Sequence, residues 1–79
     1  MAKYTNYLFD LGLLIKERAL EARRERDQQP IGSAERDFHS GRVLGFNEVL
    51  SIMQQQAEGF DIPLSELRID DINPDRDLI

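Results

Sequence analysis

His39 is the single imidazole of the chain, and Asp37 beside it, with Glu35 one turn earlier, are groups that could make it a proton shuttle or a metal ligand. Farther along, Asp71-x-Asn73-x-Asp75 reproduces the opening ligand spacing of an EF-hand calcium loop. A basic run, Lys16, Arg18, Arg23, Arg24 and Arg26, holds groups that could contact phosphates.

Each of these has a simpler reading. Catalysis needs a nucleophile or a second acid-base group held in a cleft. No serine or threonine stands in a nucleophile context, and there is no glycine-rich phosphate loop. His39 is expected to be half-buried, packing over Ala22 and held by a carboxylate. The calcium pattern breaks at its sixth position, which must be glycine for the sharp turn and is Arg76, while Pro74 stiffens the middle. Asn73-Pro74-Asp75 therefore reads as a turn in an acidic terminus. The basic run is interleaved with Glu17, Glu21, Glu25 and Asp27. Arg18 with Glu21, Glu21 with Arg24, and Arg23 with Asp27 stand at ion-pair spacing on a solvated helix face. No enzyme activity, cofactor or metal is expected.

The elements that position these groups follow from periodicity. Tyr4, Leu8, Leu11, Ile15, Ala19 and Ala22 recur at spacings of three and four, and the spacing predicts a helix over about 5–28 with Thr5 or Asn6 as N-cap. Gln29-Pro30-Ile31-Gly32-Ser33 breaks it, because proline disfavours helix at the residue before it. Ser33 caps a second helix over about 33–58, with Gly59 as its left-handed stop and Pro63 just beyond. Val43, Phe46, Leu50, Met53, Ala57 and Phe60 form its apolar seam.

Laid antiparallel, the two seams match in register. Tyr4 faces Ala57, Leu8 faces Met53, Leu11 faces Leu50, Ile15 faces Phe46, Ala19 faces Val43 and Ala22 faces His39. The fold expected is all-α: an antiparallel helical hairpin forming a single domain over 1–79, followed by a short helical turn near Pro63 to Leu67 and an acidic tail.

Apolar residues remain after this seam is filled. Tyr7, Phe9, Leu13, Leu14 and Leu20 on the first helix, with Phe38, Leu44, Val49 and Ile52 on the second, flank the seam or point away from it. Ile62, Leu64, Leu67, Ile69 and Ile72 offer one cover, with Phe9 and Leu13 as docking points. A second copy offers the other, closing an antiparallel four-helix bundle. Gly41 and Gly45 each cost about 1 kcal/mol of helix propensity relative to alanine. They mark either a tolerated, kink-prone helix centre or a close approach by another helix; in the second reading they make up, with Tyr7, Leu14, Phe38, Val49 and Ile52, the expected interface. Gly12 is a weaker candidate of the same kind.

Composition agrees with a small self-associating module. With 79 residues and no cysteine, disulfides and thiolate zinc sites are excluded, and a chain this short buries only about 60% of its extended surface. Oligomerisation is the remaining supplement. The densest apolar run, Leu8 to Ile15, contains Asp10 and is far shorter than the roughly 20 residues that span a bilayer. It has neither a basic leader nor a cleavage site, so a cytoplasmic protein without membrane contact is expected. Six of the fifteen acidic residues fall in 61–79, and the net charge of −5 belongs mainly to this tail. A duplex phosphate backbone would be repelled by the chain as a whole.

The function expected is a non-enzymatic protein-interaction or regulatory module acting as a homodimer or on another protein. The alternative comes from a likeness of architecture, carried by no motif. The dimeric hairpin resembles the helical-hairpin RNA binders of plasmid copy-number control, which implies RNA contacts from Lys16, Arg18, Arg23, Arg24 and Arg26.

Overall fold

The computed structural model describes residues 2–79, and among them helix is the only regular structure. Helix α1 spans Ala2–Asp27 and helix α2 spans Ala34–Gly59, 26 residues each. A 3-10 helix at Leu64–Leu67 and a short helix α3 at Pro74–Asp77 complete the chain. Nothing in Ala2-Lys3-Tyr4 resists helix, so α1 begins before Thr5 and Asn6. These two residues lie inside the helix instead of capping it.

The turn is built from polar side chains. Ser33 caps α2 by accepting from the Arg36 amide at 3.1 Å. Gly32 takes φ +85, which glycine adopts without steric cost. The Arg36 guanidinium donates to the carbonyls of Arg26 (3.3 Å) and Gln29 (3.0 Å), so α2 supplies donors to the end of α1. At the other end, Gly59 is the last helical residue and not the left-handed stop. The reversal falls on Asp61 at φ 55, where the Ile62 amide bonds back to the Ala57 carbonyl. Aspartate tolerates this region better than bulkier residues do, and the delay turns Ile62 back toward the core.

The matched seam forms over most of its length. Ala19, Ala22, Val43, Leu50 and Ala57 are buried, with Ile15, Phe46 and Met53 packed against them. It loosens at the open end, where Tyr4 and Leu8 are exposed. The ion pairs predicted along α1 are not the ones that form among the described residues. Lys16 reaches the tail, Glu25 and Asp27 reach α2, and Arg26 pairs with its neighbour Asp27 instead.

The acidic tail is a third layer and not a solvated terminus. From the 3-10 helix beside the N-terminal half of α1 it runs back toward the turn. Leu67, Ile69, Ile72, Pro74 and Leu78 are buried beneath it. Two amides of α2, seven residues apart and so on one face, hold its irregular backbone. Gln54 donates to the carbonyls of Ile69 (3.1 Å) and Ile72 (2.9 Å). Asn47 donates to those of Pro74 (2.8 Å) and Leu78 (3.2 Å). Asn73-Pro74-Asp75, expected as a turn, instead starts α3. Asn73 is its N-cap, accepting from Asp75 and Arg76, and Pro74 occupies a first-turn position that needs no amide donor.

Gly12, ranked behind Gly41 and Gly45 in the sequence, is the glycine the monomer requires. A Cβ there would sit 1.8 Å from the Leu67 carbonyl oxygen, so only hydrogen lets the tail come this close. Phe9, an expected docking point, meets the tail here, with the Arg68 guanidinium 3.8 Å over its ring. By contrast, a Cβ at Gly41 or Gly45 meets nothing within 4 Å.

Gly12→Ala should therefore destabilise the fold by about 1–3 kcal/mol, as overpacking does, while Gly41→Ala should stabilise the single hairpin by about 1 kcal/mol through helix propensity. Urea denaturation followed by circular dichroism checks both signs.

Candidate functional site

The hairpin has two long faces, and the tail covers one. On that side α1 presents Gly12 and Lys16, while α2 presents Asn47, Ser51 and Gln54. The opposite face is bare. There α1 carries Tyr7 and Leu14, and α2 carries Phe38, Val49 and Ile52, all between 43% and 66% exposed. Gly41 and Gly45 lie exposed along the same stripe. These seven are the residues predicted as an interface, and helical spacing brings them to one side of the molecule. Leu11, Phe46 and Met53, assigned to the seam, are half-buried and form the floor between the two helices. Since Gly45 has no side chain, a shallow hollow opens between Arg42, Phe46 and Val49.

A polar cluster edges this face near the turn. The Glu25 carboxylate accepts from the Arg42 guanidinium, and the same Arg42 nitrogen lies 2.9 Å from Nδ1 of His39. Because arginine has no acceptor, that imidazole nitrogen must present its lone pair to Arg42. The carboxylate nearest the imidazole is Glu25, 3.6 Å away across the hairpin, and it is linked to His39 through the Arg42 guanidinium that both contact. Arg42 holds the Glu25 carboxyl below its ordinary range. No nucleophile joins the cluster. It ties the two helices together at a height where Ala19 and Ala22 leave little side chain to do so.

The basic run does not gather into one patch. Lys16 turns to the tail and pairs with Asp71 at 3.0 Å. Arg26 pairs with Asp27 and donates to the Ile79 carbonyl at 2.6 Å. Arg23 contributes its positive charge near Asp77. Arg18 and Arg24 remain exposed on α1. The residues of the calcium-like pattern are also engaged: Asp71 with Lys16, Asn73 as a helix cap, and Asp75 in the first turn of α3. Among the described residues no cluster of His, Asp and Glu is placed to hold a metal ion.

A groove on the tail side, lined in part by Glu58, Asp70, Asp71 and Asp75, is acidic and open. Lysine neutralisation lowers the Asp71 carboxyl. Asp77 is brought down to about 2 by its bond from Arg76 and by the Asn73 amide.

Comparison with known proteins leaves the chain by itself: no family model, no curated protein and no solved structure matches it.

The depressed carboxylates fix the direction of the tail's acid response. A group whose folded pKa lies below its unfolded value stabilises above the unfolded value and loses that contribution as pH falls through the folded one. The Arg76–Asp77 contact should therefore be intact at pH 5 and fail between about pH 4 and 2, and the Lys16–Asp71 contact should weaken in the same direction as pH falls. In an NMR titration the Asn73 amide, which donates to Asp77 at 2.9 Å, should shift with a midpoint near 2. A midpoint at the ordinary aspartate value would remove this latch.

Proposed function

We propose that this chain is a cytoplasmic, non-enzymatic helical interaction module that self-associates through the bare face of its hairpin, so that two copies make a four-helix bundle. The observation that carries this reading is the uncovered apolar stripe. Monomers rarely leave a continuous apolar patch of more than a few hundred Å² in water. The chain exposes 5553 Å², whereas a globule of its mass exposes about 4,900 Å². That surplus, roughly 650 Å², approaches the ~800 Å² that one partner buries in a standard interface. The shape agrees: 47 Å long and only 16 Å thick, the molecule is a slab with one finished side.

The glycines point the same way. Gly41 and Gly45 weaken α2, and nothing within the chain occupies the space they leave. A helix from a second molecule supplies a reason for both. The two hollows on the described surface, one on each side of the slab, are both open to solvent. No helix is long and apolar enough to cross a membrane among the described residues. The RNA-binding alternative draws less support, because Lys16 and Arg26 are already committed to the tail.

Gly45→Leu separates association from folding. Inside the chain a Cβ at this position meets no atom within 4 Å and the residue gains helix propensity, so the monomer should be at least as stable as the parent. Across the interface it overpacks the hollow. Light scattering at micromolar concentration should give twice the chain mass for the parent and one chain mass for the variant. A parent protein that stays monomeric would defeat the proposal, and so would a variant that dimerises undiminished.

A further inference from the structure

We infer that the two copies meet back to back and antiparallel, about a two-fold axis that crosses the hairpin at Leu14 and Gly45. This rests on the self-association proposed above and specifies its geometry. A two-fold axis lying in the interface, perpendicular to the hairpin's length, sets α1 against α1 of the second copy and α2 against α2, each pair antiparallel. Residues equally spaced on either side of the axis then meet.

The open stripe of α2 is symmetric in this sense about Gly45. Gly41 and Val49 stand four residues to either side, Phe38 and Ile52 seven. Glycine thus meets glycine at the axis, where the helices come closest, Gly41 receives Val49 of the second copy, and Phe38 packs on its Ile52. Arg42 and Glu48 stand three residues to either side and carry opposite charges.

On α1 the same test centres on Leu14. Asp10 and Arg18 lie four residues to either side, both exposed and with no ion pair inside the chain among the described residues. Antiparallel pairing brings Asp10 of each copy to Arg18 of the other. Lys3 and Glu25, eleven residues to either side, are again opposite in charge, and none of these symmetric positions sets like charges together.

The two centres were located on separate helices, yet one axis serves both. Leu14 is at the middle of α1 (Ala2–Asp27) and Gly45 close to the middle of α2 (Ala34–Gly59). By the register of the seam Leu14 stands level with Asn47, two residues or about 3 Å from Gly45, so the axis that serves both centres is inclined slightly from the perpendicular. The competing arrangement, with the two hairpins parallel, sets α1 against α2 of the second copy. Asp10 and Arg18 would then stand at the heights of Ile52 and Leu44, two charges without counter-ions against aliphatic side chains. Rim ion pairs add little affinity, but they penalise the wrong orientation.

The chain has no cysteine, so disulfide trapping in the full-length protein is clean. Leu14→Cys places the two thiols at the axis and should give a covalent dimer under mild oxidation. Tyr7→Cys places them about 20 Å apart at 1.5 Å per residue and should not. Asp10→Arg and Arg18→Asp should each raise the dimer Kd by about tenfold, and the double reversal should restore it. If sedimentation shows a dimer but Leu14→Cys traps no better than Tyr7→Cys and the reversals leave Kd unchanged, the axis is wrong while self-association stands. A chain that is monomeric throughout overturns both.

Discussion

Irregular backbone can lie on an apolar surface only if its carbonyls find donors, and the architecture here depends on how that need is met. The tail carries little helix to satisfy itself, yet it buries Ile69, Ile72 and Leu78 against the hairpin. Gln54 and Asn47 supply the donors. Both partners of each amide are carbonyls, which only accept, so the orientation of the two side chains is forced. An unmet buried carbonyl costs about 1–3 kcal/mol. Among the described residues no buried side-chain nitrogen or oxygen lacks a partner. Once the two amides take the tail, one face of the hairpin is finished and the other is left.

This choice also redistributes charge. The tail brings most of the chain's excess acid alongside the basic flank of α1. Lys16 meets Asp71 there and Arg26 meets the tail's final carbonyl. A run that looks like a phosphate-binding patch when counted along the chain is thereby divided, part of it neutralised internally and part left on the opposite flank. The bare face keeps a near balance of charges, Asp10 and Arg18 on α1, and on α2 Glu48 with Arg42, which is paired to Glu25. Such a surface is neither a general anion nor a general cation binder, and it suits a partner whose charges are set in a matching order.

The glycines divide along the same line. Gly12 serves the monomer, because the Leu67 carbonyl occupies the place of its side chain. Gly41 and Gly45 serve nothing within the chain and lie on the uncovered side. The distinction turns an ambiguous pattern into two separate statements, one about tail docking and one about association. It also makes the two effects independently measurable, since a substitution on one face leaves the packing of the other untouched.

Much of this was readable from residue order. The three-four spacing of Val43, Phe46, Leu50 and Ala57 against Ala19, Ile15 and Leu11 depends only on helix geometry, so the hairpin, its register and the split between seam and surplus residues followed without coordinates. So did the Ser33 cap and the helical turn at Leu64–Leu67. What could not be read was which face the tail would choose. Gln54 and Asn47 look like ordinary solvated positions until a strand of carbonyls lies over them. Gly12 looks dispensable until Leu67, far along the chain, reaches it, and His39, expected against a carboxylate, meets the Arg42 guanidinium that Glu25 of the other helix also binds. Local periodicity sets which side chains share a face. Which face is covered depends on contacts between residues distant in sequence, and these exist only after the chain has closed on itself.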